Sequence, residues 1–183
     1  MSKVALVTGA AQGLGFFISQ SLIAAGYSVV VTDINIEEAK KAVKELDPDG
    51  EKALAIQLDV MSKQDFINGL DATLKHFGRC DILVNNAAMT PTTAVMDITP
   101  EEFSQVLDIN LRGNFLGCQV FGQHFANNKF GRIINLSSLA GQMGGTASGA
   151  HYASSKAGIV TLTKIFARQF ASDGVTVNAI APG

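Results

Sequence analysis

Short apolar runs alternate along the chain with longer segments in which apolar residues recur every three or four positions. The short runs predict buried β-strands, and the longer segments predict helices. Six strands are predicted, at residues 4–7, 27–32, 53–58, 81–84, 131–136 and 175–180. This alternation favours an α/β fold with a doubly wound parallel sheet in three layers, α/β/α. No linker or repeat interrupts the pattern, so residues 1–183 are interpreted as a single domain.

A glycine-rich turn follows the first predicted strand directly. Its sequence is Thr8-Gly9-Ala10-Ala11-Gln12-Gly13-Leu14-Gly15, and a helical pattern begins immediately after it. Glycines allow the backbone to approach a pyrophosphate closely, and the free N–H groups at a helix start favour an anion. The turn therefore predicts a Rossmann-like dinucleotide site. A glycine-rich turn without a ligand is the alternative interpretation.

Asp33 lies at the end of the second predicted strand, about 20 residues beyond the glycines. An acidic side chain at this position commonly binds the adenosine ribose hydroxyls, and it would repel a 2′-phosphate. We therefore predict NAD rather than NADP as the cofactor. The alternative is structural, with Asp33 or Asn35 capping the next helix.

Polar and small side chains follow two later strands. Asn85-Asn86-Ala87-Ala88 comes at the end of the fourth strand, and Ser137-Ser138 comes at the end of the fifth. Ligands of parallel sheets bind in the crevice at the carboxyl ends of the strands. These segments are therefore predicted to line a crevice rather than to fill a core.

Tyr152 and Lys156 are four residues apart on a predicted helix, so both side chains lie on one face. Moving the pKa of a free tyrosine from about 10 to neutrality requires about 4 kcal/mol. A positive charge about 4 Å away supplies about that much at an effective dielectric constant of about 20. The pair is therefore suited to acid/base chemistry. The alternative is a core tyrosine and a surface lysine that share a helix by chance.

Composition argues against several classes of function. The chain has 183 residues, 47% of them hydrophobic, and a formal net charge of −2 without a basic stripe, so we expect no nucleic-acid partner. No apolar run is long enough to span a bilayer and no signal peptide is recognisable, so we expect no membrane partner. Cys80 and Cys118 are far apart and indicate reduced thiols and a cytoplasmic location. The three histidines are scattered, so no metal site is predicted.

Taken in order, these motifs resemble those of the short-chain dehydrogenase/reductase family, and the resemblance extends over the whole chain. The matching positions are Thr8-Gly9-x-x-x-Gly13-x-Gly15, Asp59, Asn85-Asn86-Ala87, Asn110, Ser138, Tyr152-x-x-x-Lys156 and Pro182-Gly183. The resemblance implies a catalytic tetrad, whose members are Asn110, Ser138, Tyr152 and Lys156. Ser137 is a rival for the catalytic serine.

The resemblance also implies a role for each member of the tetrad. Ser138 would donate a hydrogen bond to the substrate oxygen, and Tyr152 would exchange a proton with that oxygen as general acid or base. Lys156 would favour the phenolate and bind the nicotinamide ribose. Asn110 would hold a water that joins Lys156 to bulk solvent. Hydride transfer itself belongs to the nicotinamide.

The glycine turn, Asp33 and the resemblance together indicate the cofactor-binding residues. Asp59 and Val60 are expected to contact the adenine, and Asn85 and Ala87 to line the cofactor channel. The full expected set is Gly9, Gln12, Gly13, Leu14, Gly15, Asp33, Asp59, Val60, Asn86, Ala87, Tyr152, Lys156, Pro182 and Gly183.

Two features depart from the family pattern. Ala88 stands where the family usually has glycine, which affects the expected shape of this loop. The sequence also ends at Gly183, where family members usually continue with a substrate-covering loop, a helix and a last strand. We therefore expect a fragment or a truncated member without the C-terminal substrate lid. Residues 141–149 are expected to form a mobile loop.

The expected activity is hydride transfer between NAD(H) and a secondary alcohol or ketone, with Tyr152 as general acid/base. One alternative is a 3-oxoacyl thioester (acyl-carrier-protein) reductase, which the loops and helices also resemble. Such enzymes usually prefer NADP, which Asp33 opposes. A second alternative is a nucleotide-binding module without catalysis. The resemblance implies a homodimer or homotetramer built on helices 111–128 and 151–172, and the apolar content of these helices supports an oligomer.

Overall fold

The computed structural model describes residues 2–145 and 149–183. Within them, six parallel strands form one sheet in the order β3-β2-β1-β4-β5-β6. The strands are β1 Val4–Thr8, β2 Ser28–Asp33, β3 Ala53–Gln57, β4 Ile82–Asn85, β5 Gly131–Leu136 and β6 Val175–Ile180. This order confirms the predicted doubly wound sheet, and every strand end lies within one residue of its predicted position.

Helices lie between the strands. They are α1 Gly13–Ala24, α2 Ile36–Leu46, α3 Lys63–Phe77, α4 Pro100–Leu107, α5 Gly113–Asn127, α6 Ala140–Met143 and α7 Ala150–Phe170. The starts of α2, α3 and α4 are capped by Asn35, Ser62 and Thr99, whose side chains accept backbone N–H groups of the first turn. In the part of the chain that the structure describes, no helix is long and apolar enough to cross a membrane.

The two long predicted helices have different ends in the structure. A π-helical turn, Asp108–Arg112, joins α4 directly to α5, so the helix predicted at 111–128 continues an earlier one. The helix predicted at 151–172 is α7, which is followed by the 3-10 turn Ala171–Asp173. Apolar periodicity does not reveal these variants of helical winding, because segments of 5 and 3 residues are too short to show a period of their own.

The loop predicted at 141–149 is wrong in its first part, because Gly141 belongs to helix α6. A Cβ at Gly141 would lie 2.7 Å from the backbone nitrogen of Ala157 in α7. This glycine therefore allows close helix contact rather than chain mobility. Residues 146–148 of the predicted loop lie outside the described residues.

The central strand β1 is buried on both faces. Val4 and Leu6 belong to one apolar cluster, with side chains of α3, α5 and α7. Ala5 and Val7 point to the opposite face and belong to a second cluster, with side chains of α1 and α2. This burial on both faces explains why the strand is a continuous apolar run, and it fixes the position of the turn that follows.

The strand order changes direction between β1 and β4, which are neighbours in the sheet. A crevice opens at the carboxyl ends of the strands at such a switch point, and ligands bind there. The glycine turn after β1, Asn86 after β4 and Ser137 after β5 all lie at this edge. The fold therefore brings the predicted motifs together.

Candidate active site

A cleft of about 690 Å³ runs along this edge of the sheet. Its volume is typical of pockets that hold small molecules or cofactors. The predicted site residues that line it are Gly9, Gln12, Gly13, Leu14, Asp33, Asp59, Val60, Asn86, Ala87, Ser138, Tyr152, Lys156, Pro182 and Gly183. Three predicted residues lie outside this lining. Gly15 and Asn110 act through other contacts. The expectation that Asn85 lines the cofactor channel is wrong, because its side chain is buried and its Nδ2 donates a 2.9 Å hydrogen bond to Oδ1 of Asn135 in β5.

The glycine turn leaves the start of α1 open toward the cleft. Gly9 and Gly13 have positive φ angles of 61° and 56°, which glycine adopts without strain. Gln12 is the N-cap residue of α1, yet its side chain makes no capping hydrogen bond, and the first turn has no acidic residue. The N–H groups at this helix start therefore have no side-chain acceptor, which suits a pyrophosphate.

Gly15 serves the packing of the turn rather than the lining of the cleft. It is buried, and a Cβ there would overlap the carbonyl oxygen of Gly9 and lie 2.6 Å from Nδ2 of Asn86. Nδ2 of Asn86 donates hydrogen bonds to the carbonyl oxygens of Thr8 and Gly9, at 2.9 and 3.0 Å. Backbone N–H groups of Asn86 and Ala87 donate to Oγ1 of Thr8. The segment after β4 thus holds the glycine turn in shape.

Asp33 closes β2 and faces the cleft. Its Oδ2 accepts the N–H of Ala11 at 3.3 Å, and its Oδ1 accepts the N–H of Asn35 at 3.1 Å. The helix cap of α2 is Asn35, whose Oδ1 accepts from Glu37 and Glu38. Asp33 therefore does not cap α2 through a first-turn N–H, and its carboxylate stands beside the glycine turn.

Tyr152 and Lys156 lie together on α7, as their spacing predicts. Nζ of Lys156 is 5.5 Å from the centre of the Tyr152 ring and donates a 2.7 Å hydrogen bond to the carbonyl oxygen of Leu136 at the end of β5. The lysine is only 3% exposed. Burial lowers the pKa of Lys156 to about 8. The ammonium of Lys156 lies against the face of the Tyr152 ring.

The two candidate serines have different environments. Ser137 is buried, and its hydroxyl donates a 2.8 Å hydrogen bond to the carbonyl oxygen of Lys156. Ser138 is half-buried, and its Oγ accepts the N–H of Ala140 at 3.1 Å. That contact uses a lone pair and leaves the proton of the Ser138 hydroxyl for a ligand. Ser138 therefore fits the role of a donor in the cleft better than Ser137 does.

The side chain of Asn110 joins two parts of the site. Its Oδ1 accepts the N–H of Met89 at 2.8 Å, and its Nδ2 donates to the carbonyl oxygen of Met89 and to Oγ of Ser155. Asn110 and Lys156 also line a void of about 10 Å³ behind the cleft, close to the size of one water. A water beside Lys156 would fit in this void, next to an asparagine side chain whose Oδ1 and Nδ2 already have protein partners.

Sequence reasoning missed two partners of the site. Ser155 donates a 2.7 Å hydrogen bond to the carbonyl oxygen of Tyr152 while it accepts from Asn110. Leu136 accepts a hydrogen bond from Lys156 through its backbone oxygen. A backbone acceptor cannot be identified from the sequence, because every residue has a carbonyl oxygen. A serine directly before Lys156 is a weak signal that was available.

Comparison with known proteins tests the predicted family. The family described as short chain dehydrogenase matches residues 3–183 of the sequence. The chain belongs to this family. Family membership makes the protein an oxidoreductase that uses a nicotinamide nucleotide, and the cleft fits such a group because it joins an uncapped helix start to a buried ammonium.

The chain is similar to curated proteins whose names describe reductases and dehydrogenases of acyl groups. A 3-oxoacyl-[acyl-carrier-protein] reductase of Synechocystis sp. is 40% identical over 183 residues, which are 100% of this chain and 74% of the reductase. The (2S)-[(R)-hydroxy(phenyl)methyl]succinyl-CoA dehydrogenase subunit BbsD of Thauera aromatica is 36% identical, with 100% and 73% covered. The 3-oxoacyl-[acyl-carrier-protein] reductase FabG of Staphylococcus epidermidis is 39% identical, with 100% and 75% covered.

Proposed function

We propose that the protein transfers a hydride between NAD(H) and carbon 3 of a 3-oxoacyl or 3-hydroxyacyl thioester. The observation that carries this proposal is the meeting of Ser138, Tyr152 and Lys156 in the cleft that the glycine turn borders. The names of the relatives support the substrate class, because they describe 3-oxoacyl groups on a carrier protein and a hydroxylated acyl group on coenzyme A. The proposal thus takes up the alternative named from the sequence, a 3-oxoacyl thioester reductase, in place of the main expectation of a general secondary alcohol or ketone.

The side chains of the cleft supply acid/base chemistry and positioning. In reduction, the Ser138 hydroxyl donates a hydrogen bond to the ketone oxygen, and the Tyr152 phenol gives that oxygen a proton. The Lys156 ammonium stabilises the resulting phenolate. In oxidation the same phenolate takes the proton of the alcohol. A bound nicotinamide supplies or accepts the hydride.

The opposite half of the cleft would hold the rest of the cofactor. The N–H groups at the start of α1 would bind the pyrophosphate, Asp33 the ribose hydroxyls, and Asp59 with Val60 the adenine. Asn86, Ala87, Pro182 and Gly183 line the channel between the two ends. In this proposal the described chain acts as one cofactor-binding domain that also carries the catalytic residues.

A substrate panel tests the proposed function. Wild-type protein is assayed with acetoacetyl-CoA, acetoacetyl-carrier protein and simple ketones, each with NADH and with NADPH. We expect kcat/KM for a thioester to exceed that for the simple ketones by about 100-fold or more, as binding energy from the remote carrier is used in the transition state. If kcat/KM for simple ketones equals or exceeds that for the thioesters, the protein is a general alcohol dehydrogenase and the thioester proposal is refuted. Tight NADH binding without turnover of any substrate would favour a nucleotide-binding module.

The cofactor preference is tested at Asp33. Replacing Asp33 by Arg should change the ratio of kcat/KM for NADPH to that for NADH by about tenfold or more in favour of NADPH, because a carboxylate repels the 2′-phosphate and a guanidinium attracts it. The Asp33→Asn variant, which removes only the charge, should give an intermediate ratio. An unchanged ratio in both variants would refute the role given to this carboxylate.

We further propose that the protein forms a homodimer or homotetramer through α5 and α7. Phe115 on α5 and Ile165 on α7 are 37% and 51% exposed, and exposed apolar side chains on long neighbouring helices suit a subunit contact. Replacing both by Glu should shift the mass in solution toward the monomer. Light scattering at several concentrations measures this, and a monomeric wild type would contradict the proposal.

A further inference from the structure

His151 precedes Tyr152 in the first turn of α7 and is completely buried. Its Nδ1 accepts the backbone N–H of Tyr152 at 2.9 Å, and its Nε2 lies 3.0 Å from Oε1 of Glu102 in α4. An acceptor at Nδ1 carries no proton, so the neutral ring has its proton on Nε2 and donates it to the Glu102 carboxylate. Both ring nitrogens are therefore used, and one of them holds the backbone of Tyr152.

The ring of His151 replaces a missing helix cap. The N-cap residue of α7 is Gly149, which has no side chain to accept the N–H groups of the first turn. The N–H of Tyr152, at the third helical position, finds its acceptor in the imidazole instead. A Cβ at Gly149 would lie 2.6 Å from Nδ1 of His151, so the glycine makes the room that this ring requires.

Glu102 ties this helix start to the segment that borders the cleft. Its Oε1 also accepts the hydroxyl of Thr93 at 2.6 Å, and these two hydrogen bonds hold the pKa of the Glu102 carboxyl below its usual value. The N–H of Gly149 lies 3.4 Å from the carbonyl oxygen of Pro91. The same segment contributes Met89 and Thr90 to the cleft lining. The first turn of α7 and the cleft wall are thus joined through Glu102.

We propose that His151 and Glu102 are positioning residues for Tyr152. This inference rests on the proposed function, in which the Tyr152 phenol exchanges the substrate proton. Neither side chain lines the cleft, and both act through the Tyr152 backbone. Without the carboxylate the ring loses its fixed orientation, the N–H of Tyr152 loses its acceptor, and the phenol shifts. A misplacement of about 1 Å can cost about 100-fold in rate.

The test compares three variants of neighbouring acidic residues in α4. Glu102→Ala removes the partner of His151 and should lower kcat by about tenfold or more, with KM for NADH changed by less than about twofold. Glu102→Gln keeps an oxygen that accepts from His151 and Thr93, so it should retain about half of the wild-type kcat or more. Glu101→Ala, at an exposed position one residue earlier, is the matched control and should match the wild type.

A purely structural role predicts a different result. If Glu102→Ala lowers the melting temperature but leaves kcat per folded molecule unchanged, or if Glu102→Gln fails to restore kcat, the inference is overturned. The assay uses any substrate of the panel that the wild type turns over. If the wild type turns over none, the proposed function fails and amide hydrogen exchange of residues 149–156 decides instead. Faster exchange at Tyr152 in Glu102→Ala, but not in Glu102→Gln, supports the positioning contact, and equal exchange refutes it.

Discussion

Replacing Tyr152 by Phe is expected to lower kcat by about 10³-fold, within the range that general acid/base catalysis contributes. The substitution removes only the hydroxyl, so the ring keeps its place on α7 above Lys156. The dissociation constant of NADH should stay within about twofold of the wild-type value, because the other residues proposed to bind the cofactor lie elsewhere along the cleft. Stopped-flow turnover and fluorescence titration measure the two quantities.

The chain offers a matched control for this substitution. Tyr27 precedes β2, packs against the apolar cluster on the α1 side of the sheet and lies outside the cleft lining. Tyr27→Phe should therefore leave kcat unchanged. Turnover by Tyr152→Phe at the rate of the control would show that the phenol does not carry the proton.

The second large effect concerns the buried ammonium of Lys156. Lys156→Met keeps an apolar side chain of similar length but removes the charge that stabilises the phenolate, so kcat should fall by about 100-fold or more. The same variant should also change how stability depends on pH in the cofactor-free protein. Chemical unfolding between pH 7 and pH 11 measures this dependence directly.

The direction follows from the lowered pKa of Lys156. Burial brings it to about 8, while the unfolded chain keeps the usual 10.5, a difference worth about 3 kcal/mol. Between pH 8 and pH 10.5 the unfolded state binds more protons than the folded state, so the free energy of unfolding increases as the pH rises. Below pH 8 both states are protonated and the full cost of burial applies. In Lys156→Met the free energy of unfolding should no longer increase over this pH range, and the variant should be more stable than the wild type at pH 7. If the free energy of unfolding depends on pH in the same way in both proteins, this prediction is contradicted.

Features that depend on neighbouring residues in sequence were predictable. The apolar runs predicted the strand ends to within one residue, since strands buried on both faces are mostly apolar. The cap residues Asn35, Ser62 and Thr99 act on N–H groups two or three positions ahead, so local spacing reveals them. The switch point then placed the glycine turn and the strand-end residues on one edge without any knowledge of their contacts.

Features that depend on distant partners were not predictable. Gly141 is predicted from the sequence to be part of a mobile loop, but the structure shows that the backbone of α7 lies against it and leaves no room for a side chain. The sequence assigns no role to His151, although its ring forms a hydrogen bond with Glu102, a residue 49 positions earlier. The resemblance implies only that Asn110 holds a water, whereas its side chain forms hydrogen bonds with Met89 and Ser155. In each case the partner comes from another element, which a single sequence does not identify.

The central claim is that the cleft moves a hydride between a nicotinamide and carbon 3 of an acyl thioester while Tyr152 moves the proton. The most direct measurement uses 3-hydroxybutyryl-CoA that carries deuterium on carbon 3, incubated with NAD and the protein, followed by mass spectrometry of the NADH formed. We predict NADH that carries the deuterium with wild-type protein and almost none with Tyr152→Phe. NADH without the label, or labelled NADH at the wild-type rate from Tyr152→Phe, would contradict the account.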